Sequence, residues 1–540
     1  MLGYVRFRII DLPTAREDHP QMSTESNTVP VRAELDATFG AYVSSGQAPG
    51  LAYGIVTAEG LIHSAGFGRA NEVGAVPDAD TPFPIASMSK SFTAASVLIC
   101  RDRGLLSLDD PVTKYIPEFR ASGAPEGPVD PPTVRMLLSM SGGLTEDNSW
   151  VDPQIGMTDE ELLSLVAAGL KYSHTPGTVF EYSNLGFTLT GTVLERVTGR
   201  TIEEFVATEL LTPLGMTSTS WSPSSYPDAV RAAGYSLDRD GQWVPFPIAE
   251  SGAFAAAGGI VSTVRDLSIW VTWLGEAFRP GKSMGVDVLS RASRREMQRV
   301  ESITPPSIAL QADGAWRQSV GGYALGLLVD HDLYNGVIVS HSGGLPGYKL
   351  HMTWHPDSGH GLVVLTNSHR GDPIGLSQQA ISQLLHANHV PSETIVLWPE
   401  TVASRQLAES LIREWTDKKA DELFANNVDF DQAIVDRRAD VAELVARIGP
   451  LGDARPLSEV VSAATAADVT WSIPGERGEL ICMIHLNELD PPKVQEFVVT
   501  AVSSDVPRSA APWDISPRRT ALGDASLSAA PNVRVVLPAD

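Results

Sequence analysis

The chain has 540 residues, of which 43% are hydrophobic and 19% are charged, and its formal net charge at pH 7 is −25. This composition is typical of a folded protein with a large core and two or more domains. The negative charge argues against nucleic acid and anionic membranes as partners, and no apolar stretch is long enough to span a bilayer.

The N-terminal stretch carries no clear export signal. Basic side chains are scattered through residues 1–21 without a clean apolar segment, so these residues make a poor signal peptide. Met22 is an alternative start to Met1, and we predict an N-terminal extension over residues 1–30. The cytoplasm is therefore the expected location.

The first elements in chain order are a helix and a hairpin. The helix is predicted by an apolar stripe made of Leu35, Phe39, Tyr42 and Val43. Two strands follow in GLAYGIVTAEGLIHSAGFG, around a turn at Glu59-Gly60. A buried helix begins near Ser87, and residues from about 105 to 300 are rich in Gly, Pro and short helices.

Strands predominate after this helical stretch. Four segments have strand composition between turn residues: GYALGLLVD, NGVIVSHSGG, YKLHMTWHP and GHGLVVLTNS. Strands, then helices, then strands again predict an α+β fold, in which helices flank an antiparallel sheet and a mostly helical lobe is added. We assign residues 31–395 to this domain.

The character of the chain changes near residue 395. Two amphipathic helices are predicted by apolar stripes: Leu407, Leu411, Ile412 and Trp415, then Val441, Leu444, Val445 and Ile448. Alternation predicts strands in GELICMIHLNEL and VQEFVVTAV. We predict a small α+β accessory domain over residues 396–502 and an extended tail, rich in Pro, Ala and Ser, over residues 503–540.

The segment FPIASMSKSFTAASVLIC places a serine three positions before a lysine at the start of an apolar helix. The pair is Ser87 and Lys90, and of the eight lysines in the chain only Lys90 has serine at this spacing. Residues i and i+3 share a helix face, so both side chains lie in the first turn near the positive end of the helix dipole. The amine can then activate the hydroxyl. The alternative is an ordinary capping serine beside a solvated lysine.

Two further motifs favour the functional interpretation. PGTVFEYSNLGF supplies Tyr182 and Asn184, and VIVSHSGGLPGY supplies His341, Gly343 and Gly344 at a strand end. Serine-x-x-lysine, tyrosine-x-asparagine and histidine-x-glycine, in this order, resemble the serine β-lactamase and penicillin-binding-protein superfamily. The tyrosine and histidine variants resemble its class C-like branch, which includes DD-peptidases, D-aminopeptidases and esterases.

The resemblance covers about residues 33 to 390 and implies a β-lactamase-like fold. It also implies a serine hydrolase that forms an acyl-enzyme on Ser87. A serine hydroxyl is a poor nucleophile without an adjacent base. Lys90 and Tyr182 form the expected base system, and which of the two takes the proton stays open.

The remaining motif residues are assigned to substrate binding and the oxyanion hole. Asn184 offers an amide to the lysine and to a substrate carbonyl. By the resemblance, the backbone N–H groups of Ser87 and Gly344 form the oxyanion hole, and Gly343 lets the strand approach the substrate closely. His341 stands where related β-lactamases usually carry lysine, which favours neutral substrates over carboxylate-bearing β-lactams.

The expected substrate is a small-molecule or peptide-like ester or amide, and no cofactor is predicted. Four alternatives stay open: a peptidase on D-amino-acid peptides or linearised cyclic peptides such as microcystin, a weak β-lactamase or penicillin-binding protein, acyl transfer to an alcohol or amine, and a catalytically silent binding or sensor protein. The accessory domain faintly resembles nuclear-transport-factor-2-like modules, which pack, dimerise or shape a pocket. A homo-oligomer formed through it is therefore also open.

Two rival motifs and the two cysteines indicate no second site. GKSMG at residues 281–285 fits the nucleophile elbow of α/β-hydrolases, but it follows a loop-like stretch where the elbow requires a buried strand. His386 and His389 have helical spacing but lack the glutamate of the zinc-protease pattern. Cys100 and Cys482 lie far apart in apolar runs and are expected to be buried thiols. No metal site is predicted.

Overall fold

The computed structural model describes residues 25–503, apart from residues 126, 249, 280–284, 311–315, 333–334 and 457–461, and it also describes residues 533–536. Two compact units meet in sequence between Val390 and Pro391. Residues 1–24 of the predicted extension, most of the predicted tail and all but the last glycine of GKSMG lie outside the described residues.

The strands of the first unit are mostly members of one sheet. In chain order they are β1 (Gly50–Thr57), β2 (Gly60–Gly68), β3 (Phe83–Pro84), β4 (Ala121–Ser122), β5 (Leu170–Lys171), β6 (Gly234–Leu237), β7 (Trp243–Phe246), β8 (Val261–Ser262), β9 (Ser302–Ile303), β10 (Ser307–Leu310), β11 (Trp316–Tyr323), β12 (Leu328–Asp332), β13 (Gly336–Leu345), β14 (Tyr348–Trp354) and β15 (Gly361–Thr366). The nine-stranded sheet has the order β10-β11-β12-β13-β14-β15-β1-β2, with β9 beside β11. Neighbouring strands in it are antiparallel, which confirms the predicted fold class.

Helices flank this sheet and fill the lobe between β2 and β9. In chain order they are α1 (Glu25–Ser44), α2 (Ser89–Asp102), α3 (Val134–Leu138), α4 (Asn148–Val151), α5 (Asp159–Ala168), α6 (Asn184–Thr198), α7 (Ile202–Val206), α8 (Thr212–Leu214), α9 (Ala255–Gly258), α10 (Val264–Gly275), α11 (Arg291–Glu296) and α12 (Pro373–Ala387). α1, α10 and α12 pack on the sheet, whereas α2, α6 and α9 pack on one another. The predicted N-terminal helix is confirmed by α1.

The strand β1, which lies between β15 and the edge strand β2, is buried along its whole length because both faces of the sheet are covered there. Alternate side chains point to opposite faces of a strand. Leu51 and Tyr53 accordingly lie in the cluster that includes α1 and α12, and Ala52 and Val56 lie in the larger cluster that includes α2 and α10. The continuous apolar run in β1 follows from this two-sided burial.

The prediction of one strand over GYALGLLVD is wrong, because the segment spans the turn between β11 and β12. Gly326 lies in that turn with φ +75°, a conformation that side chains with a Cβ rarely adopt. A Cβ at this position would lie 2.7 Å from the Lys90 carbonyl oxygen and 2.9 Å from the Ala94 Cβ. The glycine therefore lets the sheet approach α2 directly behind the serine-lysine pair.

The second unit combines four helices with a small sheet in its described part. Its helices are α13 (Pro399–Arg413), α14 (Asp417–Leu423), α15 (Val428–Asp431) and α16 (Ile434–Ile448). Its strands are β16 (Glu393–Val396), β17 (Asp468–Gly475), β18 (Gly478–Leu486), β19 (Val494–Ser503) and β20 (Val533–Val536). β17, β18 and β19 form an antiparallel sheet, and β20, within the predicted tail, pairs in parallel with β16.

The two helices predicted in this unit are confirmed by α13 and α16, although Trp415 lies beyond the end of α13. The likeness to nuclear-transport-factor-2-like modules stays a prediction. None of the helices described in either unit has the length and apolar character needed to cross a membrane.

Replacing Gly326 with alanine tests the close approach of the sheet to α2. We expect Gly326→Ala to lower the free energy of unfolding by about 3 kcal/mol, because the new methyl group overlaps the helix backbone. Gly104→Ala is the matched control, since Gly104 has φ +73° and nothing within 4 Å of an added Cβ. Its cost should be about 1 kcal/mol, from the backbone conformation alone. Urea unfolding measures both values, and equal costs would contradict the proposed overlap.

Candidate active site

The serine of the serine-lysine pair lies on a tight turn between β3 and α2. A 3₁₀ turn at Ala86–Met88 leads into the helix, and Ala86 has φ +49°, which is unusual for a residue with a side chain. Ser87 is partly exposed, whereas every other residue from 81 to 100 is buried. The turn therefore presents one hydroxyl at the end of an otherwise buried segment.

The amine of Lys90 is completely buried and donates three hydrogen bonds. Its Nζ lies 3.0 Å from the Ser87 Oγ, 2.7 Å from the Asn184 Oδ1 and 2.8 Å from the Ala257 carbonyl oxygen. Burial lowers the pKa of Lys90 to about 7, against an opposing effect of the Asp147 charge. In its neutral form, the amine can keep the bonds to Asn184 and Ala257 and direct its lone pair at the serine hydroxyl.

Tyr182 is the second group near the serine, and its phenol interacts with the Ser87 side chain. Its ring centroid is 5.1 Å from the Lys90 Nζ. Burial raises the pKa of the Tyr182 hydroxyl far above its ordinary value, even though the bond to Ser87 opposes this rise. The phenol therefore stays protonated around neutral pH, while Lys90 is close to its titration midpoint.

Asn184 begins α6, and its side-chain amide faces in two directions. Its Oδ1 accepts from Lys90, and its Nδ2 donates to the Asp147 Oδ1 at 3.0 Å and to the Asn148 Oδ1 at 2.9 Å. Ser183 caps the helix by accepting from the Gly186 N–H at 3.1 Å. Both amide hydrogens of Asn184 are thus used within the protein, and its contact with a substrate carbonyl stays a prediction.

The strand β13 runs past the serine turn. It is paired with β12 only as far as Ser340, so its last residues are paired with β14 alone. A Cβ on Gly343 would lie 2.3 Å from the Ile85 carbonyl oxygen, whereas one on Gly344 would meet no atom within 4 Å. Glycine at 343 is therefore required for the strand to reach the turn, and Gly344 lies at its open end.

His341 lies on β13 but does not contact Ser87. It is 1% exposed, and its Nε2 and Nδ1 lie 2.9 Å from the Tyr323 hydroxyl and 2.6 Å from the Ser342 carbonyl oxygen. Burial, together with the Lys90 charge, lowers the pKa of His341 to about 3, so the ring is neutral. Nδ1–H donates to the carbonyl, and Nε2 accepts from the tyrosine. The Tyr323 ring packs edge-to-face on Tyr182 with centroids 6.1 Å apart.

Most of the first unit matches a known protein family. Residues 35–383 match the sequence model of the family described as Beta-lactamase. The chain belongs to the beta-lactamase family. Members of this family are generally serine hydrolases, and the match includes the serine, lysine, tyrosine, asparagine, histidine and glycines of the site.

Individual relatives of this beta-lactamase-family chain are distant. It is 26% identical over 339 residues to protein flp of Staphylococcus aureus (strain COL), covering 62% of each chain. It is 25% identical over 329 residues to penicillin-binding protein 4* of Bacillus subtilis (strain 168), covering 58% of this chain and 67% of that protein. The octameric penicillin-binding protein homologue from Pyrococcus abyssi has a similar fold, with a TM-score of 0.53 at 20% identity, covering 86% of this chain and 99% of that one.

The structure joins four of the residues assigned from sequence in one hydrogen-bonded cluster: Ser87, Lys90, Tyr182 and Asn184. It also adds three groups that the sequence motifs did not indicate: Asp147, the Ala257 carbonyl and Tyr323. These three come from segments without a recognised motif, so no local signal pointed to them. No group of three or more His, Cys, Asp or Glu able to hold a metal occurs within the described ranges.

The reactivity of the serine should follow the titration of Lys90. Because the neutral amine is the form that accepts a proton, labelling of Ser87 by a fluorophosphonate should rise with pH and level off above a midpoint of about 7. Stopped-flow or gel-based labelling across pH measures this midpoint. Lys90→Ala should remove the inflection and most of the rate. A midpoint near the ordinary lysine value of 10.5 would contradict the lowered pKa.

Proposed function

We propose that this protein is a serine hydrolase that forms an acyl-enzyme on Ser87 and cleaves an ester or amide bond in a small or peptide-like substrate. The observation that carries the proposal is the position of the Ser87 hydroxyl. It belongs to the partly exposed residue of a buried segment, it lies 3.0 Å from the Lys90 amine, and it interacts with the Tyr182 phenol. A hydroxyl with an adjacent base is the arrangement that nucleophilic catalysis requires.

Lys90 is favoured over Tyr182 as the base. Its pKa of about 7 leaves a large neutral fraction at physiological pH, whereas the raised pKa of Tyr182 keeps the phenol protonated. In the acylation step, Lys90 takes the Ser87 proton as Oγ bonds the substrate carbonyl carbon. The bond from the carbonyl carbon to the leaving oxygen or nitrogen then breaks, and the leaving atom receives the proton that Lys90 had accepted. The Tyr182 hydroxyl passes it on by giving its own proton to the leaving atom and taking one from Lys90. Water releases the acyl group in the second half of the reaction.

Two backbone N–H groups are proposed for the oxyanion hole. The Ser87 N–H has no acceptor among the described residues, and Gly344 lies at the open end of β13 with free space around it. An unpaired donor such as the Ser87 N–H stabilises the developing negative charge of the transition state without first breaking a bond.

An open hollow that begins at Pro84, on the strand before the serine turn, supports a substrate with an apolar group. Its lining includes Pro84, Phe246, Ile248, Leu345 and Tyr348, with one acidic residue, Asp152. Pro84 is three residues from the nucleophile. Because the lining is mainly apolar, an uncharged aliphatic or aromatic substituent would gain by leaving water there.

Penicillin binding is the second candidate, because one of the matching relatives is named as a penicillin-binding protein. The His341 side chain argues against rapid β-lactam turnover. It is neutral and buried, so it supplies no cation for the carboxylate of such a substrate.

Substitution of the nucleophile tests the proposal most directly. We expect Ser87→Ala to abolish fluorophosphonate labelling and hydrolysis, since no other atom replaces Oγ, while the far-ultraviolet circular dichroism stays unchanged. The matched control is Ser96→Ala, which removes a buried hydroxyl on the same helix that donates to the Phe92 carbonyl at 2.9 Å. This control should remain active. Intact-mass and peptide analysis locates the adduct, and an adduct on another residue would refute the assignment of Ser87.

A substrate panel tests the preference for neutral substrates. p-Nitrophenyl esters with short apolar acyl groups and peptide-like anilides should be hydrolysed faster than nitrocefin, because the hollow is apolar and His341 is uncharged. β-Lactams should be turned over slowly or remain as stable acyl-enzymes, which mass spectrometry detects. Nitrocefin turnover well above the rate on short esters would reverse the order of the two candidate functions.

A homo-oligomer formed through the second unit is also part of the proposal. Val498 and Val502 on β19 are 38% and 41% exposed, and the structurally similar archaeal protein is described as octameric. An exposed apolar strand of this kind gains by contact with a second copy. Light scattering should report more than one chain per particle, and Val498→Lys with Val502→Lys should reduce that number.

The cytoplasm remains the proposed location.

A further inference from the structure

Asp147 lies behind the catalytic cluster, in the loop immediately before α4, and is 8% exposed. No motif in the sequence marks it, since it is part of the unremarkable stretch LTEDNSW. Its carboxylate nevertheless reaches the start of α6, where Asn184 contacts the Lys90 amine. A buried carboxylate at such a position needs several donors to replace its water.

Four groups donate to the two oxygens of this carboxylate. Oδ1 accepts from the Asn184 backbone N–H at 2.8 Å and from the Asn184 Nδ2 at 3.0 Å. Oδ2 accepts from the Leu185 N–H at 2.8 Å and from the Ser183 hydroxyl at 3.3 Å. The first N–H groups of the fifteen-residue helix α6 are thereby satisfied by a residue from another segment.

The same contacts determine the orientation of the Asn184 amide. A carboxylate accepts hydrogen bonds and cannot donate them, so the NH₂ group of Asn184 must face Asp147. The amide oxygen then faces the opposite way, toward Lys90. With the amide reversed, its oxygen would meet the carboxylate and its NH₂ group would meet the lysine amine. The first of these contacts is repulsive, and the second is repulsive whenever the amine is protonated.

We propose that Asp147 is a positioning residue for catalysis, which holds the Asn184 oxygen against the Lys90 amine and supplies the negative charge that tunes the amine as a base. This inference rests on the proposed function, because it assigns a role toward the same nucleophile. This role is additional to helix capping. The carboxylate also accepts from the Asn184 side chain, and through that side chain it acts on the Lys90 amine.

The charges around Lys90 support the electrostatic part of this role. The titratable side chains that face the amine are Tyr182, His341 and, across the Asn184 amide, Asp147. The pKa of Tyr182 is raised and that of His341 is lowered to about 3, so both are uncharged near neutral pH. Among the described residues, Asp147 is the charged group that raises the pKa of Lys90, against the larger effect of burial.

The test is the pH dependence of fluorophosphonate labelling in the full-length protein. For Asp147→Asn we expect the plateau rate to fall by about ten- to a hundredfold, because the Asn184 amide is no longer held. We also expect the midpoint to move to lower pH by about one unit, because the charge that favours the protonated amine is gone. Asp147→Ser, which keeps a helix-capping oxygen without the charge, should shift the midpoint in the same direction.

Two control variants separate positioning from simple structural support. Asp266→Asn removes another buried carboxylate, which accepts from the Ser218 N–H at 2.8 Å and the Thr219 hydroxyl at 2.7 Å, away from Lys90. It should leave the midpoint unchanged. Asn148→Ala removes the second acceptor of the Asn184 amide but no charge, so it should lower the plateau modestly without moving the midpoint.

An unchanged midpoint in Asp147→Asn, whatever its plateau rate, would overturn the inference. Loss of the folded state in both Asp147 variants, measured by thermal unfolding, would also overturn it, since the carboxylate would then be needed for the fold itself. A wild-type protein that is not labelled on Ser87 would instead refute the proposed function, which keeps the two failures distinguishable.

Discussion

The site depends on one constraint, which is the burial of the Lys90 amine. An amine that has lost its water must find acceptors within the protein, because an unpaired ammonium group in the interior costs several kcal/mol. Three segments supply these acceptors: the serine turn, the start of α6 at Asn184, and the carbonyl of Ala257 in α9. The helical lobe must therefore pack against α2 in one arrangement, and the same burial brings the pKa of the amine near neutrality.

The approach of the sheet to this helix is the second requirement. Gly343 lets β13 lie against the serine turn, and Gly326 lets the turn after β11 lie against the Lys90 backbone. At both positions a Cβ would overlap a backbone oxygen. Because both the sheet and the lobe pack against α2, Ser87 lies at the junction of the two. Clefts at such junctions are common sites for small ligands.

The titratable groups nearest Ser87 carry reduced charge near neutral pH, and the Asp147 and Glu146 carboxylates act on them from the neighbouring loop. Burial suppresses the charges of His341 and Tyr182 and halves that of Lys90 near neutral pH. This reduced charge supports the proposed preference for uncharged substrates. It also makes the Asp147 carboxylate the main source of electric field at the amine, although the overall net charge of −25 is spread over the whole chain.

The sequence by itself determined what local spacing and periodicity control. The proximity of Ser87 and Lys90 follows from their i,i+3 spacing, although Ser87 lies on the 3₁₀ turn just before α2 and not in its first turn as expected. β1 and β2 follow from apolar runs around a turn, and α1 and α16 follow from apolar stripes. The ordered motifs also led to the correct family.

Tertiary structure decided the rest. GYALGLLVD has strand composition throughout, and contact with α2 decides where it turns. Asp147 reaches Asn184 because a distant loop meets the start of α6, and His341 is buried against Tyr323 of another strand of the sheet. Pairings between distant segments depend on packing, and local sequence does not encode them.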